Sequence, residues 1–161
     1  MDTESLAQLI DRYGNMVLRL AYTYLKNKAD AEDIVQDVFL QVMEKQPEFQ
    51  NAEHEKAWLV RTTINHCKNR LHTFWNRNKC SIDEIAEISK CDTYQLDSDV
   101  LKAVLSLPAK YRTAVYMHYY EGYKTPEFAR FFGTSETTVR SWLCRARAKL
   151  KDMLKEEYDF E

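Results

Sequence analysis

Residues 125–154, near the C-terminus, carry two helical patterns separated by one short turn. The first pattern ends at Gly133, a residue type that adopts the left-handed conformation found at many helix ends. Thr134 or Ser135 can then cap the second helix by accepting a hydrogen bond from its free N–H groups. Two helices joined by so tight a turn form a helix-turn-helix. The apolar positions of the two helices are Phe128, Ala129, Phe132, Val139, Leu143, Ala146, Leu150 and Leu154.

The outer face of the second helix is rich in hydroxyl and basic side chains. These residue types bind phosphates and base edges, and the second helix of a helix-turn-helix can enter a DNA major groove. Because amphipathic helices with basic outer faces are common, a merely solvated face is the alternative interpretation. The outward residues are Thr137, Thr138, Arg140, Ser141, Arg145, Lys149 and Lys151.

The whole chain is poor in residues that interrupt helices. Its 161 residues include only three Gly and three Pro, which predicts an all-α protein of one ordinary domain or two small ones. No apolar run reaches the roughly 18 residues that a membrane span needs. The N-terminus lacks the basic region and apolar core of a signal peptide. We therefore expect a cytoplasmic protein without membrane insertion.

Acidic and basic segments alternate along the chain, although its net charge is only −2. Residues 1–55 carry eleven acids against five bases, and residues 56–79 carry six bases and no acid. Residues 80–99 carry six acids against one base, and residues 100–155 are basic again. Two separated basic segments predict two separate contacts with a polyanion. The pI of about 6.1 argues against indiscriminate coating of nucleic acid.

The first half of the chain begins with two amphipathic helical patterns, at residues 4–26 and 29–45. Asp30 is the predicted N-cap of the second helix, and Pro47 ends it. Leu40, on its outer face, is either one ordinary exposed leucine or the centre of an acidic patch for a protein partner, and the composition favours the first. The apolar residues of this helix are Ala31, Ile34, Val35, Val38, Phe39, Val42 and Met43. The outward residues are Asp33, Gln36, Asp37, Leu40, Gln41 and Glu44.

A third pattern, at residues 55–76, interleaves basic side chains with amides and aromatics. Aromatic rings stack on unpaired bases, worth roughly 1–3 kcal/mol each, and basic side chains hold phosphates. This composition suits single-stranded or distorted DNA as well as a duplex. Core packing is an equal alternative for Phe74 and Trp75. The polar face consists of Arg61, Asn65, Lys68, Asn69, Arg70 and His72.

Residues 78–98 lack sustained periodicity and accumulate acidic side chains, which predicts a linker between two domains. Some 20 flexible residues have a root-mean-square span of about 25 Å. The second domain then starts with a helix that Asp97 or Ser98 can cap and that ends before Pro108. Another helix leads into a turn at residues 121–123, before the helix-turn-helix.

No constellation typical of an enzyme is present: there is no Gly-rich phosphate loop, no HExxH and no GxSxG. The cysteines Cys67, Cys80, Cys91 and Cys144 form no CxxC pair, which suits a reducing compartment. His66 with three of these thiols matches no common zinc spacing, so ordinary packing is favoured over a zinc or redox switch. We expect no catalytic activity, no cofactor and no metal.

Three segments, in order, carry a family resemblance: DAEDIVQDVFLQVME (30–44), KAWLVRTTINHCKNRL (56–71), and the stretch from LPAKYRTAVYMHYYEGYKTPEFARFFGTSETTVRSW to LCRARAKLK (107–151). The chain resembles the extracytoplasmic-function (ECF) sigma factors of bacterial RNA polymerase over nearly its whole length. The resemblance implies sigma region 2 at residues 1–78, an acidic linker at 79–98 and sigma region 4 at 99–161. It also implies promoter-specific transcription initiation, with core polymerase, promoter DNA and an anti-sigma factor as partners.

The resemblance assigns roles to residues in each segment. Helix 30–44 resembles the part that binds the β′ clamp of core polymerase, and a contact with the β flap is implied as well. This assignment favours the partner patch for Leu40. The implied polymerase-binding residues are Asp33, Gln36, Asp37, Leu40 and Met43.

The two basic helices resemble the parts that recognise the promoter. Helix 56–77 corresponds to the reader and opener of the −10 element, and opening requires capture of bases whose unstacking costs a few kcal/mol. The implied −10 residues are Arg61, Asn65, Lys68, Asn69, Arg70, Phe74 and Trp75. The implied −35 residues, in the helix-turn-helix, are Thr137, Thr138, Arg140, Ser141, Arg145 and Arg147.

The chain departs from the family pattern at a few positions. Trp142 stands where the family usually has Arg, so a phosphate or base contact is replaced by a stacking or a packing contact. Asn69 stands where Asp is frequent. The phenylalanines Phe128, Phe131 and Phe132 stand where Ile or Leu is usual, so we expect different packing of the first helix of the helix-turn-helix.

Two other functions are compatible with parts of the sequence. The helix-turn-helix alone would also suit a dimeric repressor or activator, which would bind a palindromic site through a two-fold interface. A protein-interaction module with solvated basic faces would show no salt-dependent DNA contact.

Overall fold

The computed structural model describes residues 3–78 and 99–154, without the side chains of residues 74–78, 99 and 101. Every regular element in this part of the chain is a helix, which confirms the predicted all-α class. None of these helices combines the length and apolar character that a membrane span requires.

The chain divides into two compact units, Met1–Asp92 and Thr93–Glu161. The predicted acidic linker at 79–98, with the capping candidates Asp97 and Ser98, lies outside the described residues. Each unit is built from helices that follow one another closely along the chain.

The first unit contains three helices: α1 (Thr3–Leu25), α2 (Lys28–Lys45) and α3 (Ala52–Asn78). The periodicity located all three, and the ends differ from the predicted ones by at most three residues. Helix α2 ends before Pro47, as predicted, with Gln46 in the left-handed conformation at φ 44°.

The N-terminus of α2 differs from the prediction. Asn27, not Asp30, is the N-cap: its backbone is extended and its Oδ1 accepts a hydrogen bond from the Asp30 N–H at 2.9 Å. Because the helix starts at Lys28, Asp30 lies in the first turn, where the helix dipole favours a carboxylate. Asn51 likewise caps α3 by accepting from the His54 N–H at 2.8 Å, so α3 begins earlier than the apolar pattern indicated.

The core of the first unit forms where α2 packs against both α1 and α3. Val17 and Ala21 of α1 are fully buried, and so are Val38 and Val42 of α2. Burial of one such valine contributes on the order of 1.5–3 kcal/mol. Further buried core residues are Leu20, Ala31, Ile34, Leu59, Val60, Ile64 and Cys67.

Met43 is not part of this core, contrary to its predicted place on the apolar face of α2. Its side chain is 53% exposed, whereas the neighbouring Val42 is fully buried. Val42 follows Val38 by four residues and takes the buried position, and Met43 is turned about 100° further around the helix. Met43 therefore lies beside Leu40 on the outer face.

The second unit contains α4 (Asp99–Ser106), α5 (Ala109–Val115), one turn of π-helix (Tyr116–Tyr120), α6 (Thr125–Phe132) and α7 (Glu136–Leu154). Arg112 of α5 is buried, and its Nη1 donates to the carbonyls of Leu107 at 2.7 Å and Leu105 at 3.4 Å. These carbonyls at the end of α4 have no helical partner, so the buried guanidinium satisfies them and is itself satisfied.

The turn of the helix-turn-helix has the predicted chemistry. Gly133 has φ 68°, and the Thr134 N–H donates to the Ala129 carbonyl at 3.0 Å, which closes α6 in a Schellman motif. Of the two predicted N-caps of α7, Ser135 acts: its Oγ accepts from the Thr138 N–H at 3.2 Å. The buried apolar side chains of the two helices are Phe128, Ala129, Phe132, Val139, Leu143, Ala146 and Leu154.

Two glycines provide a matched test of this backbone. We expect Gly133→Ala to destabilise the protein by about 1 kcal/mol, because an alanine Cβ disfavours the left-handed conformation. Space is not the cause, since no atom lies within 4 Å of the added Cβ. Gly14→Ala, within α1, should instead stabilise by roughly 0.5–1 kcal/mol. Its Cβ would meet Ile10 at 3.5 Å, an ordinary contact. Urea unfolding followed by circular dichroism measures both, and equal effects of the two substitutions would contradict the assignment.

Candidate polymerase and nucleic-acid interfaces

The five predicted polymerase-binding residues share one exposed surface of α2, here called the α2 outer face. Asp33, Gln36 and Asp37 are exposed. Leu40 and Met43, three residues apart on the same face, are each 53% exposed. The α2 outer face therefore has an apolar centre beside carboxylates, and it offers a protein partner both burial and charge.

Arg70 connects α2 with α3 through two ion pairs. Its Nη2 lies 2.8 Å from Asp30 Oδ1 and 3.0 Å from Asp33 Oδ2. Arg70 is a predicted DNA-binding residue and Asp33 a predicted polymerase-binding residue, so the structure brings members of two predicted sites together. Partly exposed pairs of this kind contribute about 0–1 kcal/mol each. To bind Arg70, a DNA phosphate would have to displace the carboxylates of Asp30 and Asp33 from its guanidinium.

The remaining polar residues of α3 form a separate stripe along the helix. Arg61, Asn65 and Asn69 are exposed, and Lys68 is partly buried beside them. Arg70 is turned away from Arg61, since nine residues advance an α-helix by two and a half turns. Phe74 and Trp75 continue α3, but their side chains lie outside the described residues.

The outer surface of α7 has a centre of short side chains between two basic flanks. Thr137, Ser141 and Cys144 form the centre, and all three are exposed. Arg140 and Arg147 lie on one flank. The other flank carries Thr138, Arg145 and Lys149. This arrangement follows from the helical repeat, because the buried stripe from Val139 to Leu154 faces the opposite direction.

Neighbouring side chains hold each arginine of α7. Arg140 donates to Glu136 Oε1 at 2.5 Å within the helix. Arg147 Nε donates to the Tyr119 hydroxyl at 2.6 Å, and its guanidinium carbon lies 5.7 Å from the Tyr119 ring centroid. Arg145 Nη1 donates to the Tyr111 hydroxyl at 3.5 Å. This hydrogen bond raises the pKa of Arg145 above its ordinary high value.

Trp142 makes a packing contact, one of the two alternatives that the sequence left open. Its ring meets Phe132 edge-on, with centroids 5.2 Å apart, and it is only partly exposed. Phe132 in turn lies 4.9 Å from Phe128, so the aromatic residues of α6 and α7 form one cluster. On the solvent side, Lys110 Nζ lies 5.7 Å from the Trp142 ring centroid.

The cysteines provide no metal site in the part of the chain that the structure describes, where no three His, Cys, Asp or Glu side chains converge. Cys67 is fully buried, and burial raises the pKa of its thiol, which keeps it protonated. Cys144 is exposed on α7. Cys80 and Cys91 lie outside the described residues.

Two protein-family models match the chain, one in each unit. Residues 9–76 match sigma-70 region 2, and residues 98–150 match sigma-70 region 4. RNA polymerase sigma factor SigV of Bacillus subtilis is 32% identical over 146 residues, which cover 86% of this chain and 84% of SigV. The ECF RNA polymerase sigma factor SigM of Mycobacterium tuberculosis is 28% identical over 155 residues, covering 95% and 79%.

The chain belongs to the ECF sigma factors of bacterial RNA polymerase. It is therefore a transcription-initiation factor, a member of a regulatory family and not of an enzyme family. Both units take part in the match, in the order that the sequence predicted.

Solved structures share the fold. The sigma factor RpoE of Bartonella quintana, in complex with the anti-sigma factor NepR, superposes with a TM-score of 0.77 at 22% identity and covers 97% of this chain and all of that one. CnrH, in complex with the cytosolic domain of CnrY, gives a TM-score of 0.64 at 22% identity, covering 98% and 92%.

Sequence reasoning missed the residues that hold the basic side chains of this sigma factor. Asp30, Tyr111 and Tyr119 each bind an arginine that was a DNA-binding candidate. The sequence does not mark Lys110 as a DNA-binding residue either. Each contact joins two helices, and the spacing within one helix carries no signal for it.

Substitution of Trp142 tests whether its indole ring packs against the second unit or is merely exposed at the surface. We expect Trp142→Ala to destabilise the second unit by about 2 kcal/mol, less than for a fully buried Trp, because the ring is partly exposed. Trp142→Phe should retain most of the edge-on contact with Phe132. Thermal unfolding of the two variants provides the measurement, and wild-type stability of Trp142→Ala would show that the indole does not pack.

Proposed function

We propose that this ECF sigma factor binds core RNA polymerase through the α2 outer face and directs promoter-specific initiation with its two basic helix faces. In this proposal residues 1–78 are region 2, residues 79–98 are a linker through the basic channel of the polymerase, and residues 99–161 are region 4. The observation that carries it is the presence of one exposed basic or amide helix surface on each compact unit. Two such surfaces suit two separate promoter elements.

The α2 outer face is the proposed contact with the β′ clamp. Leu40 and Met43 would become buried on binding, and apolar burial is worth about 25 cal/mol per Å². Asp33, Gln36 and Asp37 surround them and would fix the orientation through charge and hydrogen bonds. A contact of region 4 with the β flap is part of the same proposal.

The −35 element is the proposed ligand of α7. Thr137 and Ser141, at the exposed centre, would face base edges, and the arginines on the flanks would reach phosphates or guanines. A good bidentate contact between Arg and guanine discriminates by about 1–3 kcal/mol. Thr138, Arg140, Arg145 and Arg147 complete the proposed set.

The −10 element is the proposed ligand of α3. Arg61, Asn65, Lys68 and Asn69 form a stripe that a separated DNA strand could follow, and Phe74 and Trp75 continue the same helix. Bases that leave the duplex would be captured there, which would offset the few kcal/mol of unstacking and so assist opening. Arg70 would join the set by exchanging Asp30 and Asp33 for a phosphate.

An anti-sigma factor is the proposed regulator. RpoE of Bartonella quintana has a structure in complex with the anti-sigma factor NepR, and CnrH has one in complex with the cytosolic domain of CnrY. An inhibitor that covers the exposed Leu40 and Met43 would exclude the polymerase from the same surface.

Run-off transcription tests the proposed function. Addition of the protein to core polymerase should stimulate transcription from promoters upstream of the transcripts that rise on its overexpression. Footprints should cover −35 and −10 elements asymmetrically and should require core polymerase. Absence of stimulation over core polymerase alone would refute the proposal, and a palindromic footprint without polymerase would favour a dimeric regulator.

The polymerase contact has its own test. Leu40→Ala combined with Asp37→Ala should weaken binding to core polymerase about tenfold or more, because truncation of a hot-spot residue near the centre of an interface costs about 2 kcal/mol or more. The fold should be unchanged, since both side chains are exposed.

The matched control is Met153→Ala combined with Asp152→Ala, which removes one exposed apolar and one acidic side chain from α7. Its affinity for core polymerase should fall less than that of the Leu40 double variant, because it leaves the α2 outer face intact. Affinities come from titration of labelled protein with core enzyme. Equal affinities of the Leu40 and Met153 double variants would contradict the assignment of the α2 outer face.

A further inference from the structure

Lys110 is an exposed cation whose position is set by another helix. It lies in the first turn of α5, and its Nζ is 5.7 Å from the centroid of the Trp142 ring on α7. A lysine ammonium within about 6 Å of an indole face is attracted by the ring quadrupole. Because Phe132 packs against the same ring in a T-shaped arrangement, the indole is a platform for the ammonium that another helix supports.

Tyr111, the residue after Lys110 in α5, also contacts α7. The Tyr111 hydroxyl accepts a hydrogen bond from Arg145 at 3.5 Å, so two consecutive residues of α5 contact α7. Trp142, Arg145 and Lys149 are spaced by three and four residues and therefore share one side of α7. Lys110 thus extends the flank that already carries Arg145 and Lys149.

On DNA, the two flanks of α7 would face different chemical groups from those that the centre of the helix faces. When a helix occupies the major groove, its centre faces base edges and its sides face the two sugar–phosphate backbones. Arg140 and Arg147 lie on one flank of α7 and would face one backbone. On the other side, position 142 bears an indole, and a cation from α5 stands directly over it.

We propose that Lys110 binds a backbone phosphate of the duplex that α7 reads, and that Trp142 is the positioning residue which holds it there. This inference rests on the proposed −35 recognition. The phosphate-binding surface of the second unit then extends beyond the helix-turn-helix to α5. Displacement of a condensed counterion by Lys110 contributes affinity for any sequence and carries no base information.

The salt dependence of promoter binding measures this contact. Holoenzyme assembled from core polymerase and the full-length chain is titrated on a promoter fragment at several salt concentrations. Lys110→Gln should reduce the slope of log K against log salt by about 0.9, the value for one phosphate contact. Lys110→Arg should retain the wild-type slope. The matched control Lys102→Gln removes an exposed lysine of α4 and should leave the slope unchanged.

Trp142 variants test the positioning role, since they leave every charge in place. Trp142→Leu should lower the slope toward that of Lys110→Gln, and Trp142→Phe should restore it by providing a ring again. A Leu variant with the full wild-type slope would show that Lys110 does not depend on the indole and would overturn that part of the inference.

The outcomes separate this inference from the proposed function. If wild-type holoenzyme binds the promoter and Lys110→Gln has the same slope, the Lys110 contact is refuted and −35 recognition stands. If wild-type holoenzyme does not bind promoter DNA at all, the proposed function fails and the inference fails with it.

Discussion

The requirement that α2 bury one face against two neighbouring helices determines what the first unit can expose. Ile34, Val38 and Val42 are almost fully buried between α1 and α3 and hold α2 in one rotational setting. At about 1.5–3 kcal/mol each, these contacts far outweigh any exposed ion pair. With 3.6 residues per turn, Leu40 and Met43 are then forced outward. The exposed apolar centre of the α2 outer face is therefore a direct consequence of core packing.

Weak polar contacts prearrange the basic side chains on this rigid framework. Arg70 lies against Asp30 and Asp33, Arg147 against Tyr119, and Arg145 against Tyr111. Such exposed contacts stabilise the free protein by little, about 0–1 kcal/mol for an ion pair, so a phosphate can replace them. They also limit the rotamers of long side chains, which reduces the entropy that binding would cost.

Sequence reasoning recovered what depends on local chemistry and periodicity. Gly133 and Ser135 end one helix and start the next, because left-handed backbone and N-capping have specific residue preferences. It misplaced the start of α2, since Asn27 and Asp30 are both good caps and only the path of the chain after α1 decides between them. It also misplaced Met43, because the apolar pattern does not show where the buried face of α2 ends, and that face includes Val42 but not Met43. Contacts between helices, such as Arg145 with Tyr111, have no periodicity and were missed.

The outer surface of α7 separates affinity from specificity. Thr137, Ser141 and Cys144, at its centre, have short side chains, so base edges can be reached only if the helix lies deep in the groove. Depth is governed by the flanks, where Arg140 and Arg147 on one side and Arg145 and Lys149 on the other would meet the two backbones. The indole at position 142 lacks the positive charge of the arginine that the family usually has there. Lys110 of α5, which lies over the indole, would supply a positive charge in its place. Lys110 would then give the flank of Arg145 and Lys149 a third cation, while the indole itself packs into the aromatic cluster of α6 and α7.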